Sequence, residues 1–449
     1  MESEIANALN PNSPPFIRVV RWKDADRDTR RTVLMRSQLN LGDAREIARE
    51  WIAKIEARGD EALVEYIRTF DDPNFELARL RVTPEDIKRA YNVVPSNVVE
   101  TIRRQIEISR EFHERQVPKE MQEVREFVPG VHTGWKTTPL ESVGLNVPAG
   151  QVPLPTVMQI LTVAAKTARV PRVVACFPPT GEHYEMLIAA DISGTDEMYR
   201  VGGIAGIAAM SIGTESIQPV LKIVGPGSIY TQAAKMEVSL RGTAIDMLSG
   251  PSEALIIADE SAHARYCAAD ILARCEHDQN ACAVLATTST SLAEQTVIEI
   301  QRQLPQLSRR AVAEIALSRY SAIVLFDTMD EVIDFANEYS AEHLEVMTQD
   351  AWKTCERIHN AGSIFLGQYA PVAIGDYASG TNHCLPTGKA PKTVSPIGVD
   401  TFLKKCEIQY ITHEGLKNLE PIVSTISAIE TLDGHGRSVA IRLQDDGNQ

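Results

Sequence analysis

Apolar residues in the first third of the chain recur at spacings of three and four. Ile47, Trp51, Ile52 and Ile55 form one such stripe, which predicts an amphipathic helix with Asp43 as its cap. Pro84 stands where a helix can begin, because the first turn has no use for the missing N–H. Ser96 to Gln116 reads as a second long amphipathic helix, capped by Ser96 and stopped by Pro118. On this pattern Gly42 to Phe127 is mostly helical. After Gly130 short apolar runs alternate with helical stretches and turns. Val170–Phe177, Met198–Val201, Leu221–Val224, Ala254–Ala258, Ala283–Ala286 and Ala322–Phe326 read as strands. Continuously apolar strands separated by helices imply parallel sheets covered on both faces. Two such sheets are expected, with the break near Gly250. Residues 1–16, with Asn10-Pro11-Asn12-Ser13-Pro14-Pro15, read as a loose arm or as a segment ordered only against a partner subunit.

Composition narrows the class. The 449 residues carry a formal net charge of −15, which argues against a basic face for nucleic acid or anionic membrane. The apolar fraction of 44% is enough for a large core without disulfides or metal. No apolar run approaches a membrane span, and the acidic, polar amino terminus does not resemble a secretory signal. The seven cysteines are scattered, with no CxxC pair; a reduced, cytoplasmic setting is the expectation.

The candidate chemistry lies in polar clusters. There is no GxGxxG, P-loop or GxSxG motif; Gly225-Pro226-Gly227-Ser228 has only the first two glycines of the dinucleotide fingerprint and by itself reads better as a plain tight turn. Glu276-His277-Asp278 closes a helix beginning near Ala268. Glu342-His343 follows Ser340 in what reads as a loop-like polar stretch. Asp376 and His383 share a glycine-bearing loop, and His435 lies near the carboxyl end. Imidazole and carboxylate suit a borderline metal such as zinc, though no local metal spacing is met.

Residues 225–404 closely resemble histidinol dehydrogenases, with weaker similarity from about residue 20 to 445. The matching text includes Ser249-Gly250-Pro251-Ser252-Glu253, Cys275-Glu276-His277-Asp278, Ala341-Glu342-His343-Leu344-Glu345, Ala361 to Gly367, Gly375 to His383 and Leu385-Pro386-Thr387. The resemblance implies an NAD- and zinc-dependent homodimer that oxidises an amino alcohol through the aldehyde to the acid. It implies two Rossmann-like α/β lobes in an aldehyde-dehydrogenase-like arrangement: an arm at 1–40, a catalytic lobe from 41–145 plus 253–395, a nucleotide lobe at 146–252 and a dimer-crossing tail at 396–449. Glu342 corresponds to the acid that activates water. His343 corresponds to the base on the alcohol, with an imidazole expected near its ordinary value. His277, Asp376 and His435 fall on zinc-ligand positions, His435 reaching from the other subunit. Ser252, His383 and Glu430 fall on substrate contacts.

Several positions depart from the family pattern. Arg274 stands where the family has a Gln zinc ligand, and a guanidinium has no lone pair to offer a cation. Asn146, Ala205 and Ser228 replace a Tyr, a Gln and an Asn at cofactor-binding positions, and Val372 stands where relatives often carry an acid. Three readings follow. The first in order is a relative that oxidises another small polar alcohol, with Arg274 suited to a carboxylate, sulfonate or phosphate on the substrate. The second is an authentic histidinol dehydrogenase. The third is a non-redox metal enzyme or scaffold on the same fold.

Overall fold

The computed structural model describes residues 16–36, 41–149 and 153–444; the arm expected at residues 1–16 lies outside them apart from Phe16. The strands run in chain order as β1 (Arg18–Arg21), β2 (Gln122–Val128), β3 (Val131–Pro139), β4 (Ser142–Asn146), β5 (Arg172–Cys176), β6 (Glu197–Tyr199), β7 (Lys222–Val224), β8 (Ala244–Ile245), β9 (Glu253–Ala258), β10 (Cys282–Thr287), β11 (Ala322–Leu325), β12 (His343–Met347), β13 (Ser363–Leu366) and β14 (Leu403–Ile411). The chain divides into two compact units, one of Met1–Gln116 with Glu141–Thr401 and one of Val117–Leu140 with Phe402–Gln449.

The first unit holds two parallel sheets, as the alternation of apolar runs and helices predicts. One has the order β6-β5-β4-β7-β8, so the chain reverses its direction of travel between β4 and β7. The other has the order β1-β11-β10-β9-β12-β13 and reverses between β9 and β12. The residues of β9, β10 and β12 are buried throughout, which is why they read as unbroken apolar runs rather than alternating ones. Trp51, Ile52, Ile55, Leu63 and Ile67 of the helices Gly42–Arg58 and Asp60–Phe70 pack with Ile204, Ile207, Met210 and Ile223 in one core. The six-stranded sheet carries a core on each face.

The second unit is an antiparallel sheet, β14-β3-β2, followed by helices His413–Ile429 and Asp433–Gln444. Strand β2 corrects the expectation of helix up to Phe127. Two caps are also corrected. The helix Ser96–Glu114 is flanked by Pro95 without a side-chain cap: Ser96 is already the first helical residue, and the proline before it has no side-chain oxygen to accept a backbone N–H. Asp43 lies inside the first turn of its helix, where its charge meets the positive end of the helix dipole. Pro84 does open a helix, with Thr83 and Asp86 closing a capping box around it. Among the described residues, no helix is long and apolar enough to cross a membrane.

Candidate active site

The candidate cluster forms where β9 and β12 begin, side by side in the six-stranded sheet. Glu342-His343 does not lie in a loop. Ser340, in the left-handed region at φ 54, ends the helix Met329–Tyr339 and turns the chain straight into the sheet, so that His343 is the first residue of β12. Both side chains are buried. Neighbouring backbone fixes them. The Glu253 N–H donates to Glu342 Oε2 at 2.9 Å, and the Glu342 N–H donates back to Glu253 Oε1 at 3.2 Å. The Gly388 N–H also donates to Glu253 Oε1, at 3.2 Å. A Cβ on Gly362 would stand 2.5 Å from the Glu342 carbonyl oxygen, so only glycine allows the loop before β13 to pass this close.

His343 Nδ1 lies 3.2 Å from the Glu253 carbonyl oxygen. That oxygen can only accept, which assigns the proton of the neutral ring to Nδ1 and leaves the lone pair on Nε2. Nε2 is buried without a hydrogen-bond partner, 3.7 Å from Asp376 Oδ1. Burial and the Arg274 cation work to lower the His343 imidazole, but the carboxylates of Glu342 and Asp376 outweigh them and hold it above its ordinary value. The expectation of an unperturbed ring is corrected accordingly. Burial works to raise the Glu342 carboxyl; His343, Arg274 and the Glu253 N–H outweigh it and keep Glu342 ionised at neutral pH.

Arg274 occupies the last turn of the helix Ala264–Cys275. It is 4% exposed, and its Nε is buried without an acceptor. It therefore belongs to the site and does not face solvent. Burial, and then the Arg274 charge, push the nearby His277 imidazole down to about 4. Asp376 sits in a short helix, Val372–Tyr377, rather than in the loop expected from its glycines. Burial works to raise it, and His343, Arg274 and His383 together hold it below the usual range. Burial lowers His383, whose Nδ1 is also buried and unpartnered. Ser252 adjoins the cluster immediately before Glu253, its carbonyl accepting the Cys282 N–H at 3.1 Å. Glu430 and His435 lie in the second unit, Glu430 just past the helix His413–Ile429 and His435 exposed in the helix that follows.

Zinc tests poorly against this donor set. Within the first unit the resemblance gives only His277 and Asp376 as ligands, and a fixed cation stands at the position it gives to an amide. Among the described residues no group of three or more His, Cys, Asp or Glu is placed to hold a metal ion. Those residues do not make a zinc site by themselves, and the completing donor is the one the resemblance assigns to His435.

A nucleotide fares better. The five-stranded sheet reverses between β4 and β7, and ligands of open α/β sheets bind at the carboxyl ends of the strands at such a point. Asn146 ends β4, and its Nδ2 donates to the Pro226 carbonyl at 2.6 Å, joining it to the turn that follows β7. Gly225, at φ 120, passes so close to the Asn146 carbonyl that a side chain would collide with it. Ser228 caps the helix Ile229–Ser239, whose free N–H groups face this end of the sheet. Ala205 is different: fully buried in the helix Gly203–Ile212, it packs in the core with Tyr66 and Ile204 and offers no side-chain contact. The buried Lys235 braces the turn from beneath, donating to the carbonyls of Gly225 at 3.0 Å and Met247 at 2.7 Å and pairing with Asp246.

Arg36 and Glu253 were not among the expected site residues. Glu253 stands in a matched motif, which was a usable signal. Arg36 had none.

Comparison with known proteins agrees with this arrangement. Residues 34–443 match the family model for histidinol dehydrogenase. The chain is 41% identical over 407 residues to a histidinol dehydrogenase of Methanosarcina mazei, covering 90% of this chain and 93% of that protein. It is 40% identical over 431 residues to one from Vibrio vulnificus, covering 95% and 99%. The crystal structure of histidinol dehydrogenase from Elizabethkingia anophelis superposes with a TM-score of 0.91 at 32% identity, covering 96% of this chain and 99% of that one.

Proposed function

The chain belongs to the histidinol dehydrogenase family of NAD-dependent oxidoreductases, and from that premise we propose that it oxidises L-histidinol through the aldehyde to the acid. The relatives favour histidinol over a different alcohol, reversing the order in which the sequence alone places these two readings. The observation that carries the chemistry is His343 Nε2, a buried and unpartnered lone pair beside an ionised Glu342. NAD, when bound, supplies the hydride acceptor. His343 Nε2 takes the hydroxyl proton as the first hydride leaves the carbinol carbon. Glu342 then takes a proton from water as it adds to the aldehyde, and the resulting hydrate loses the second hydride. One alcohol, one water and two NAD⁺ give one carboxylate, two NADH and three protons. In this reading His383 and Ser252 contact the substrate, and Asn146 and Ser228 border the cofactor.

Two further elements complete the reading. The molecule is a homodimer in which Glu430 and His435 serve the partner's site, as the resemblance implies. Its location is cytoplasmic, consistent with seven cysteines that are all free thiols.

The test is NAD reduction by L-histidinol and by a panel of small alcohols, with His343→Asn alongside. Loss of a general base should lower kcat by ~10²–10⁴ with an unchanged melting temperature. A His343→Asn enzyme of wild-type rate would remove His343 from the mechanism. One observation favours a second reading. Arg274 is a buried guanidinium with an unpartnered Nε at the reacting cluster, which suits an alcohol bearing an anionic group better than the cationic amine of histidinol.

A further inference from the structure

Arg36 follows the helix Arg27–Met35 and stands 217 residues before Glu253, yet their side chains are only 2% and 3% exposed against each other. Nε and Nη2 of Arg36 donate to the two Glu253 carboxylate oxygens as a fork. Nη1 donates to the Tyr339 carbonyl at 2.7 Å, and Nη2 also reaches the Ser340 carbonyl at 3.3 Å. The guanidinium lies 3.9 Å over the Tyr339 ring. A single side chain thus ties the start of β9 to the end of the helix that delivers Glu342 and His343.

No proton or hydride transfer uses Arg36. Its effect runs through Glu253, whose carboxylate lies beside that of Glu342. Two buried carboxylates this close repel, and without a cation one of them would take up a proton. Burial and the Glu342 charge raise the Glu253 carboxyl and the Arg36 fork opposes them, while Glu253 Oε1 accepts from the Glu342 and Gly388 N–H groups. Its own N–H holds Glu342 Oε2, and its carbonyl faces His343 Nδ1. Glu253 therefore contacts both groups, while His343 also faces Glu342 Oε2 at 3.4 Å and Asp376 Oδ1 at 3.7 Å.

We propose that Arg36 and Glu253 are positioning residues that hold the Glu342 carboxylate and His343 Nε2 in register for both proton transfers. The proposal rests on the reading of Glu342 and His343 as the reacting groups.

The test compares Arg36→Met, Arg36→Lys, Glu253→Gln and the double variant Arg36→Met/Glu253→Gln, assayed with NAD and the alcohol that the panel identifies. Arg36→Met should lose about 100-fold in kcat, the scale of a small misplacement of reacting groups, with KM close to wild type. Arg36→Lys should fall between, because an ammonium restores the charge and not the fork. The double variant should recover to within about tenfold of wild type, since the Gln carbonyl still accepts the Glu342 N–H and no unpaired charge stays buried. A purely structural role would lower the melting temperature and leave kcat per folded enzyme unchanged, which overturns the proposal. So does a folded double variant whose loss equals the product of the single losses, and this variant decides the matter if Arg36→Met does not fold. His343→Asn separates the two layers. If it is inactive while Arg36→Met turns over normally, only the positioning claim fails. If it is fully active, or if no alcohol reduces NAD with the wild-type protein, the reading of the reacting groups fails and takes the positioning claim with it.

Discussion

At the scale of single residues, the site is governed by charges that lack ordinary partners. The Arg274 Nε is buried without an acceptor, which is costly, although its charge stands close enough to the Glu342 and Asp376 carboxyls to lower both. The variant Arg274→Gln tests whether a substrate group answers it as well. If an anionic substrate group answers it, the variant should lose about 10- to 100-fold in kcat/KM for the anionic alcohol, the value of a charge-assisted hydrogen bond. It should lose nothing for histidinol, and its zinc content should rise as the repulsion at His277 disappears. Unchanged metal content and unchanged preference among alcohols would remove the second reading. Glu345 offers a cleaner electrostatic test. It lies two residues after His343, with neither carboxylate oxygen meeting a donor; burial and the adjacent Asp270 carboxyl raise it well above the usual range. The folded state therefore keeps a proton that the unfolded chain releases, so this contribution to stability is complete in acid and is lost as pH climbs from the ordinary glutamate value toward the raised one. Glu345→Gln cannot release the proton. Its melting temperature should gain on wild type with increasing pH; parallel curves would show that Glu345 is ionised in the fold.

At the scale of elements, the same physics decides what could be read in advance. Strands β5, β6, β7, β9, β10 and β11 are legible because they are largely buried and have little need of polar residues, whereas the two-residue β8, exposed at Ala244, is not. The start of β12 is not legible. Its apolar run begins only at Leu344, and Glu342 and His343 look like loop residues until the reciprocal N–H contacts with Glu253 account for their burial. Asp376 was misplaced for a related reason, since Gly375 suggests a turn although it packs against Phe365 inside a short helix. The residue types of the site were legible from resemblance to a family, and Arg274 as a departure within it. Arg36 was illegible from any local pattern, because its entire meaning lies in a partner 217 residues away.

At the scale of the whole molecule, the second unit presents Ile422, Ile426 and Ile429, at 59%, 47% and 72% exposure, on one face of the helix His413–Ile429. The same unit carries Glu430 and His435. On the dimer reading this face is the subunit contact, so Ile426→Glu should sediment as a monomer and lose turnover together with association. A variant that stays dimeric and active, or a wild-type protein active as a monomer, would end the shared-site reading. The pairing of Arg36 with Glu253 also bears on the order in which the protein is made. Strand β1 pairs with β11, Arg18 facing Ala322, and Glu253 is clasped both by Arg36 and by Gly388. A ribosome adding ~5–20 residues per second takes roughly 20–70 s to go from Arg36 to Gly388. Throughout that interval the earliest piece of the site waits for the latest, and loop closure over such separations is slow in its own right. A chain cut short before Gly388 therefore lacks one of the donors that hold Glu253, and on the dimer reading catalytic competence waits further for association with a partner.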